Sequence, residues 1–346
     1  VNGLLERYRN LYPVTEHTPG LSLGEGGTPL VSLSRLGERL GVSLYAKYDG
    51  LNPTGSFKDR GMVLAVAKAV EEGAIGIICA STGNTSASAA AYAARLGIPC
   101  HVLLPEGKVA MGKLAQAMVY GANVVAVRGN FDRALEMARE AAKRKGLAIV
   151  NSVNRYRLWG QRSGAWEVCD ELGSGPDWCV LPVGNAGNIT AWWSGFVQYR
   201  RLGLAAGVPR MLGVQAEGAS PLVTRKPCPE PETVATAIRI GNPVNGPRAR
   251  WAVRMTGGQF VSVSDEEILA AQKQLASLEG VFAEPASCAP LAGLLRMKKS
   301  GGLPGGLRVV MVLTGNGLKD PDAVLGNLPA AVTVDASWSS LEEVLS

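Results

Sequence analysis

The sequence predicts an α/β protein of two domains, each a mostly parallel, twisted sheet flanked by helices. Three observations carry this. Apolar runs rich in β-branched residues recur along the chain, segments with helical spacing separate most of them, and 346 residues exceed what one small core accommodates.

The first fifty residues read as loops and short elements. Strands are expected at 76–80, 100–105, 123–127 and 147–150, then at 178–183, 212–216 and 308–313. These runs are apolar along their whole length, so both faces must be covered, which calls for helices on either side of a parallel sheet. Helical spacing places helices at 86–96, 131–144, 189–202 and 265–278. Residues 218–258, rich in Pro, Arg and Gly, read as surface loop with short helices. No apolar repeat of 20–50 residues is evident.

Hydrophobic residues make up 47% and charged residues 18%, a globular rather than a disordered balance. The 43 glycines cluster after apolar runs, as loops of close approach do. A net charge of +6 suits a small anionic substrate. The basic residues are scattered, without aromatics between them, which argues against a nucleic-acid partner. Six cysteines stand far apart and only two histidines, His17 and His101, occur, so no metal site is readable. Several cysteines lie in apolar runs, as free thiols in a reducing compartment do. No leader-like segment or membrane-spanning run is read, and a cytoplasmic protein is expected.

Four polar loops follow or interrupt these elements. The first surrounds one lysine: Leu51-Asn52-Pro53-Thr54-Gly55-Ser56-Phe57-Lys58-Asp59-Arg60-Gly61-Met62. The others are Ser81-Thr82-Gly83-Asn84-Thr85-Ser86, Gly184-Asn185-Ala186-Gly187-Asn188 and Thr314-Gly315-Asn316-Gly317-Leu318. The 184–188 loop leads from a strand into a helix, where two glycines would let backbone N–H groups and the helix start face a phosphate. A tight strand-to-helix turn fits the same residues. Neither the dinucleotide fingerprint nor the P-loop pattern occurs, so the phosphate need not belong to a nucleotide. Lys58 could be a surface lysine. It could equally condense with an aldehyde, if nearby cations and burial hold its amine partly unprotonated. A lysine, a phosphate loop and two further polar loops at strand ends together match what pyridoxal phosphate requires.

At these residues the chain closely resembles the threonine synthase family, pyridoxal-phosphate enzymes of the tryptophan-synthase-β group (fold type II). The likeness runs from Gly24-Glu25-Gly26-Gly27-Thr28-Pro29-Leu30 through all four loops. It also takes in Asn151-Ser152-Val153-Asn154, Ala235-Thr236-Ala237-Ile238-Arg239-Ile240-Gly241-Asn242-Pro243 and Glu284-Pro285-Ala286-Ser287. The resemblance implies that Lys58 is the Schiff-base lysine and proton shuttle, and that Asn84 bonds the cofactor's phenolic oxygen. It further implies that Gly184, Asn185, Ala186, Gly187 and Asn188 hold the cofactor phosphate and that Thr314 faces the pyridine nitrogen. Ser81, Thr82, Thr85, Asn151, Ser152 and Arg157 would bind substrate. The family usually differs at Arg155 and at Arg162 and Ser163, beside the implied substrate-phosphate site, and often at Asn316.

The activity implied by the resemblance is conversion of O-phospho-L-homoserine and water into L-threonine and phosphate by a homodimer. The cofactor would lie in the cleft between a smaller, mobile domain over 52–140 and a larger one made of 1–51 and 141–346. The nearest alternative is a threonine/serine dehydratase or O-acetylserine sulfhydrylase of the same fold, and a more distant one is a cofactor-free binding protein. Arg157 separates the first pair, being useful only for a phosphorylated substrate. Asp59 is read as structural, and Arg60 only as a neighbouring cation that, with burial, could lower the Lys58 pKa.

Overall fold

The computed structural model describes residues 3–106, 111–321, 323 and 331–345. Its strands, in chain order, are β1 (Leu30–Ser32), β2 (Ser43–Tyr48), β3 (Gly76–Ala80), β4 (Cys100–Pro105), β5 (Asn123–Val127), β6 (Leu147–Ile149), β7 (Trp178–Pro182), β8 (Arg210–Ala216), β9 (Gln259–Val263) and β10 (Arg308–Leu313). They form a six-stranded sheet in the order β1-β2-β10-β7-β8-β9 and a four-stranded sheet in the order β5-β4-β3-β6. Every pairing is parallel except β1 with β2.

The strands apolar on both faces fold as expected. β3 and β7 are buried along their whole length, because helices cover both sides of each sheet. β2 lies inside the larger sheet, between β1 and β10, although its stretch read as loop. Its pattern is broken by Lys47, a charged residue with no exposure, whose amine bonds the Thr28 carbonyl at 2.6 Å and pairs with Glu167 at 3.1 Å. β6 pairs with β3 and so belongs to the smaller sheet, a few residues past 140.

Local signals set several helix starts. Asn130 accepts the Arg133 N–H at the head of the helix Phe131–Lys145, and Ser264 with Glu267 forms a capping box at the head of Asp265–Glu279. The helix Pro285–Lys299 carries no such cap and buries nearly its whole first half around Pro290, so it has little amphipathic pattern to read.

One close approach joins the two halves. The helix Lys58–Glu71 packs against the helix Arg155–Gln161 through Gly61 and Gly160. A Cβ on Gly160 would lie 2.1 Å from the Arg60 carbonyl oxygen, and one on Gly61 would lie 2.6 Å from the Arg157 carbonyl oxygen. Both obstacles are backbone, which cannot swing aside. The missing side chains therefore fix how near Lys58 and Arg157 can come. Gly160→Ala is expected to destabilise the protein by about 1–3 kcal/mol, the usual cost of overpacking, read as a lower denaturant midpoint. An unchanged midpoint would mean that the helices can part without cost.

Candidate active site

The carboxyl ends of β3, β7 and β10 and the start of the helix Lys58–Glu71 surround a cleft of about 720 Å³, lined by residues of all four polar loops. Ligands bind at this end of parallel strands because the loops there are free to diverge.

Lys58 begins its helix directly after a loop sewn to the end of β10. The Phe57 N–H donates to the Thr314 carbonyl at 2.8 Å, the Asn316 N–H donates to the Gly55 carbonyl at 3.0 Å, and Ser56 bridges Gly315. Asp59, fully buried, accepts from the Thr54 N–H and hydroxyl at 2.7 Å each and from the Ser88 hydroxyl at 2.5 Å. It thereby ties the loop before Lys58 to the helix Asn84–Leu96. Burial raises its carboxyl to about 6, against the lowering effect of those same bonds.

Arg60, expected as the cation acting on Lys58, instead points away from the cleft into a buried cluster, and Arg157 takes that part. Its guanidinium bonds Asp49 at 2.8 Å, Glu167 at 2.7 Å, Thr28 at 2.9 Å and Ser163 at 3.1 Å. Burial alone would raise the Glu167 carboxyl, but Arg60 and Lys47 outweigh it and hold it at about 2. The frame around Lys58 is thus two anchors, one to each sheet's helices, with the lysine between them.

Lys58 is only partly buried as a residue, yet its amine end is desolvated by the cleft walls. Desolvation, then the Arg157 cation, lower its pKa to about 7, while the Glu284 carboxylate opposes them. An amine so placed is partly free base near neutral pH, as nucleophilic and base chemistry requires.

The 184–188 loop has the geometry of an anion cradle. Ala186 adopts a left-handed conformation (φ 61°) just before the helix Gly187–Arg201, which turns successive N–H groups to one side. Gly184 packs against 237–238, where a Cβ would come within 3.0 Å of the Ile238 Cα. Asn188 is buried, and neither polar atom of its amide has a partner among the described residues. A buried amide left this way is what a bound polar ligand would satisfy.

Arg157 is 2% exposed. One nitrogen donates to the Val150 carbonyl at 3.0 Å, while its Nε has no partner among the described residues. Burial lowers its pKa to about 10. Ser81, Thr82, Thr85 and Ser152 line the same cleft. Asn151 also lines it, but its amide is engaged with the Ala80 backbone, accepting at 3.0 Å and donating at 2.8 Å.

Residues that had no assigned role also line the cleft, among them Gln161, 236–240, Glu284 and Lys319. The Asn84 amide donates to the Glu284 carboxylate at 3.2 Å, and burial pushes that carboxyl above its ordinary range. An acid inside the apolar run Val281-Phe282-Ala283-Glu284-Pro285-Ala286 was the readable signal for it. Lys319 donates to the Thr54 carbonyl at 3.1 Å and to Gln116, and nothing in its local sequence marked it.

None of the four unusual positions lines the cleft. Arg155 is exposed and bonds the Tyr156 hydroxyl at 2.7 Å, and Arg162 stacks 3.6 Å from the Trp159 ring. Ser163 joins the Arg60 cluster, and Asn316 caps the turn after β10 while donating to the Tyr48 hydroxyl at 3.3 Å.

Comparison with known proteins agrees with this geometry. The family described as "Pyridoxal-phosphate dependent enzyme" matches residues 21–315. A threonine synthase of Halalkalibacterium halodurans is 56% identical over 326 residues, covering 94% of this chain and 92% of that protein. One of Mycobacterium tuberculosis is 53% identical over 344 residues, covering 99% and 96%. Among solved structures, maize serine racemase superposes with a TM-score of 0.74 at 20% identity, covering 92% of each chain.

The environment of Lys58 makes a signed expectation. In protein stripped of cofactor, labelling of Lys58 by an amine reagent should rise with pH through a midpoint near 7. Arg157→Ala removes a cation and should move that midpoint up, whereas Glu284→Gln removes an anion and should move it down. Peptide mass spectrometry across a pH series reads both, and a wild-type midpoint at an ordinary lysine value would refute the argument.

Proposed function

The chain belongs to the family of pyridoxal-phosphate dependent enzymes, and from that premise we propose that it converts O-phospho-L-homoserine and water into L-threonine and phosphate, the threonine synthase reaction. The observation that carries the reading is Arg157, a buried guanidinium with a free donor on the wall of the cleft that holds Lys58. A planar fork of donors suits a phosphate dianion and has no use for a substrate without one. Relatives sharing 50–56% of their residues with this chain across nearly its whole length carry the same activity in their names.

The chain's residues then divide the work. Gly184, Asn185, Ala186, Gly187 and Asn188 would hold the cofactor phosphate, Asn84 would donate to the phenolic oxygen, and Thr314 would face the ring nitrogen. Bound there, the cofactor supplies an aldehyde that takes up the substrate amine and a ring that withdraws electrons from its Cα. Lys58, freed by that exchange, would take the Cα proton and then help move one from Cβ, so that phosphate leaves Cγ. Its near-neutral pKa lets one amine accept and return protons in turn. Ser81, Thr82 and Thr85 would grip the substrate carboxylate and phosphate. Asn151 and Ser152 would complete the phosphate contacts with Arg157. A proton returned to Cγ would make the methyl carbon, water would then add at Cβ and a proton return to Cα, so early water must be kept out.

For that exclusion we infer that the smaller unit, 52–140 together with β6, closes on bound substrate. Lys319, which reaches Thr54 and Gln116 in that unit, supports a contact surface between the two halves. The buried free thiols, Cys79, Cys100, Cys169, Cys179 and Cys288, support a reducing, cytoplasmic setting. A homodimer is proposed on the family resemblance, and sedimentation would test it. Among the described residues no helix is long and apolar enough to cross a membrane.

Purified enzyme should release phosphate from O-phospho-L-homoserine and form threonine in equal amount. Arg157→Ala should lower kcat/KM at least about thirtyfold, the effect of losing roughly 2 kcal/mol from a buried charged contact. Phosphate release untouched by that change would remove Arg157 from its role. Ammonia from threonine, without phosphate from the phosphorylated substrate, would instead make the chain a dehydratase.

A further inference from the structure

Behind Thr314, away from the cleft, stands Ser287, on the first turn of the helix Pro285–Lys299 and without any exposed surface. Its hydroxyl oxygen accepts the Gly315 N–H at 2.8 Å and lies 2.8 Å from the Thr314 hydroxyl oxygen. Two hydroxyls in contact share one hydrogen, and which of them gives it decides what the other can do. Ser287 has one hydrogen and two acceptors in reach. The Thr314 oxygen lies at 2.8 Å, and the Gly315 carbonyl lies at 3.4 Å, the outer edge of hydrogen-bond range. That carbonyl already accepts the Glu284 N–H at 3.1 Å. The carbonyl keeps a second lone pair, so distance is what favours Thr314 as the acceptor of the Ser287 hydrogen. Thr314, 4% exposed and lining the cleft, is left with its own hydrogen and no second acceptor among the described residues.

We propose that Ser287 is a positioning residue that fixes Thr314 as a hydrogen-bond donor into the cleft, through the one-way chain Gly315 N–H to Ser287 O–H to Thr314 O–H. The proposal rests on the reading that Thr314 faces the cofactor's pyridine nitrogen. A donor there requires that nitrogen to be the acceptor and therefore unprotonated. Were the chain reversed, Thr314 would spend its hydrogen on Ser287 and offer only a lone pair, which would favour a protonated ring and a stronger electron sink. Burial matters to the polarity, because no water reaches Ser287 to replace its bonds. The serine thus sets the electronic character of a group that it does not touch.

The test uses holoenzyme reconstituted with cofactor carrying nitrogen-15 in the ring. The wild-type nitrogen resonance should be that of an unprotonated, hydrogen-bonded pyridine and should stay so from about pH 6 to pH 9. In Ser287→Ala it should move toward the free, unbonded value, and in Ser287→Thr, which keeps the hydroxyl, it should return. Ser287→Ala should lower kcat about tenfold with the substrate KM within about twofold. Combining it with Thr314→Val should cost no more than Thr314→Val alone, because the two act through one bond.

A protonated wild-type nitrogen, a resonance unmoved by Ser287→Ala, or additive losses in the double variant would each overturn the proposal. Should Ser287→Ala fail to fold, the wild-type resonance still decides the polarity. The nitrogen signal does not involve the substrate, so absent phosphate release beside an intact signal would fault the functional reading and leave this one standing.

Discussion

A lysine can act as a base near neutral pH only if its amine is dried while the backbone beneath it cannot shift. Everything around Lys58 meets those two demands at once. Asp59 draws the preceding loop onto the helix Asn84–Leu96, and Arg60 reaches the other way into Asp49, Glu167, Thr28 and Ser163. Between these anchors the lysine has little room to retreat from the cleft. Buried charges are costly unless paired and hydrogen-bonded, and here the pairing is complete: Glu167 serves both Arg60 and Lys47, and the Gly27 N–H donates to it as well. Adjacent residues therefore divide one task, with Lys58 in no ion pair among the described residues and its two neighbours saturated.

The strands of both sheets were largely readable because parallel strands buried on two faces need nothing but apolar residues. β3, β4, β5 and β10 fall on the residues expected for them. What escaped was structure built on exceptions to that pattern. β2 hides a buried lysine, β9 is short and mostly half-exposed, and the helix Pro285–Lys299 is too uniformly buried at its start to show a face. The helix Lys58–Glu71 escaped for a related reason, since its first turn carries the charged residues of the frame and buries two of them. In β2 and in the helix Lys58–Glu71 a partner far along the chain satisfies a group that local patterning counts as exposed.

The site divides along the same line. Loops at strand ends announce themselves by glycine and asparagine, and four of them do converge on one cleft. Their supports do not announce themselves. Ser163 reads as a substitution beside the substrate site, yet its hydroxyl donates to the Gly160 carbonyl at 2.8 Å and accepts from Arg60. It belongs to the frame, so a change there acts on where Lys58 sits, not on what the substrate phosphate touches. Arg155 and Arg162 hold aromatic neighbours outside the cleft.

Glu284 and Arg157 show how far the electrostatics of such a site can be pooled. Both are nearly dry, both act on Lys58, and they act in opposite directions. Without Glu284 the Lys58 pKa would fall further and less of the amine would carry a proton to return; without Arg157 it would rise and less would be free base. Held between them near neutrality, the amine can do both, which is what a reaction with several proton transfers asks of a single group.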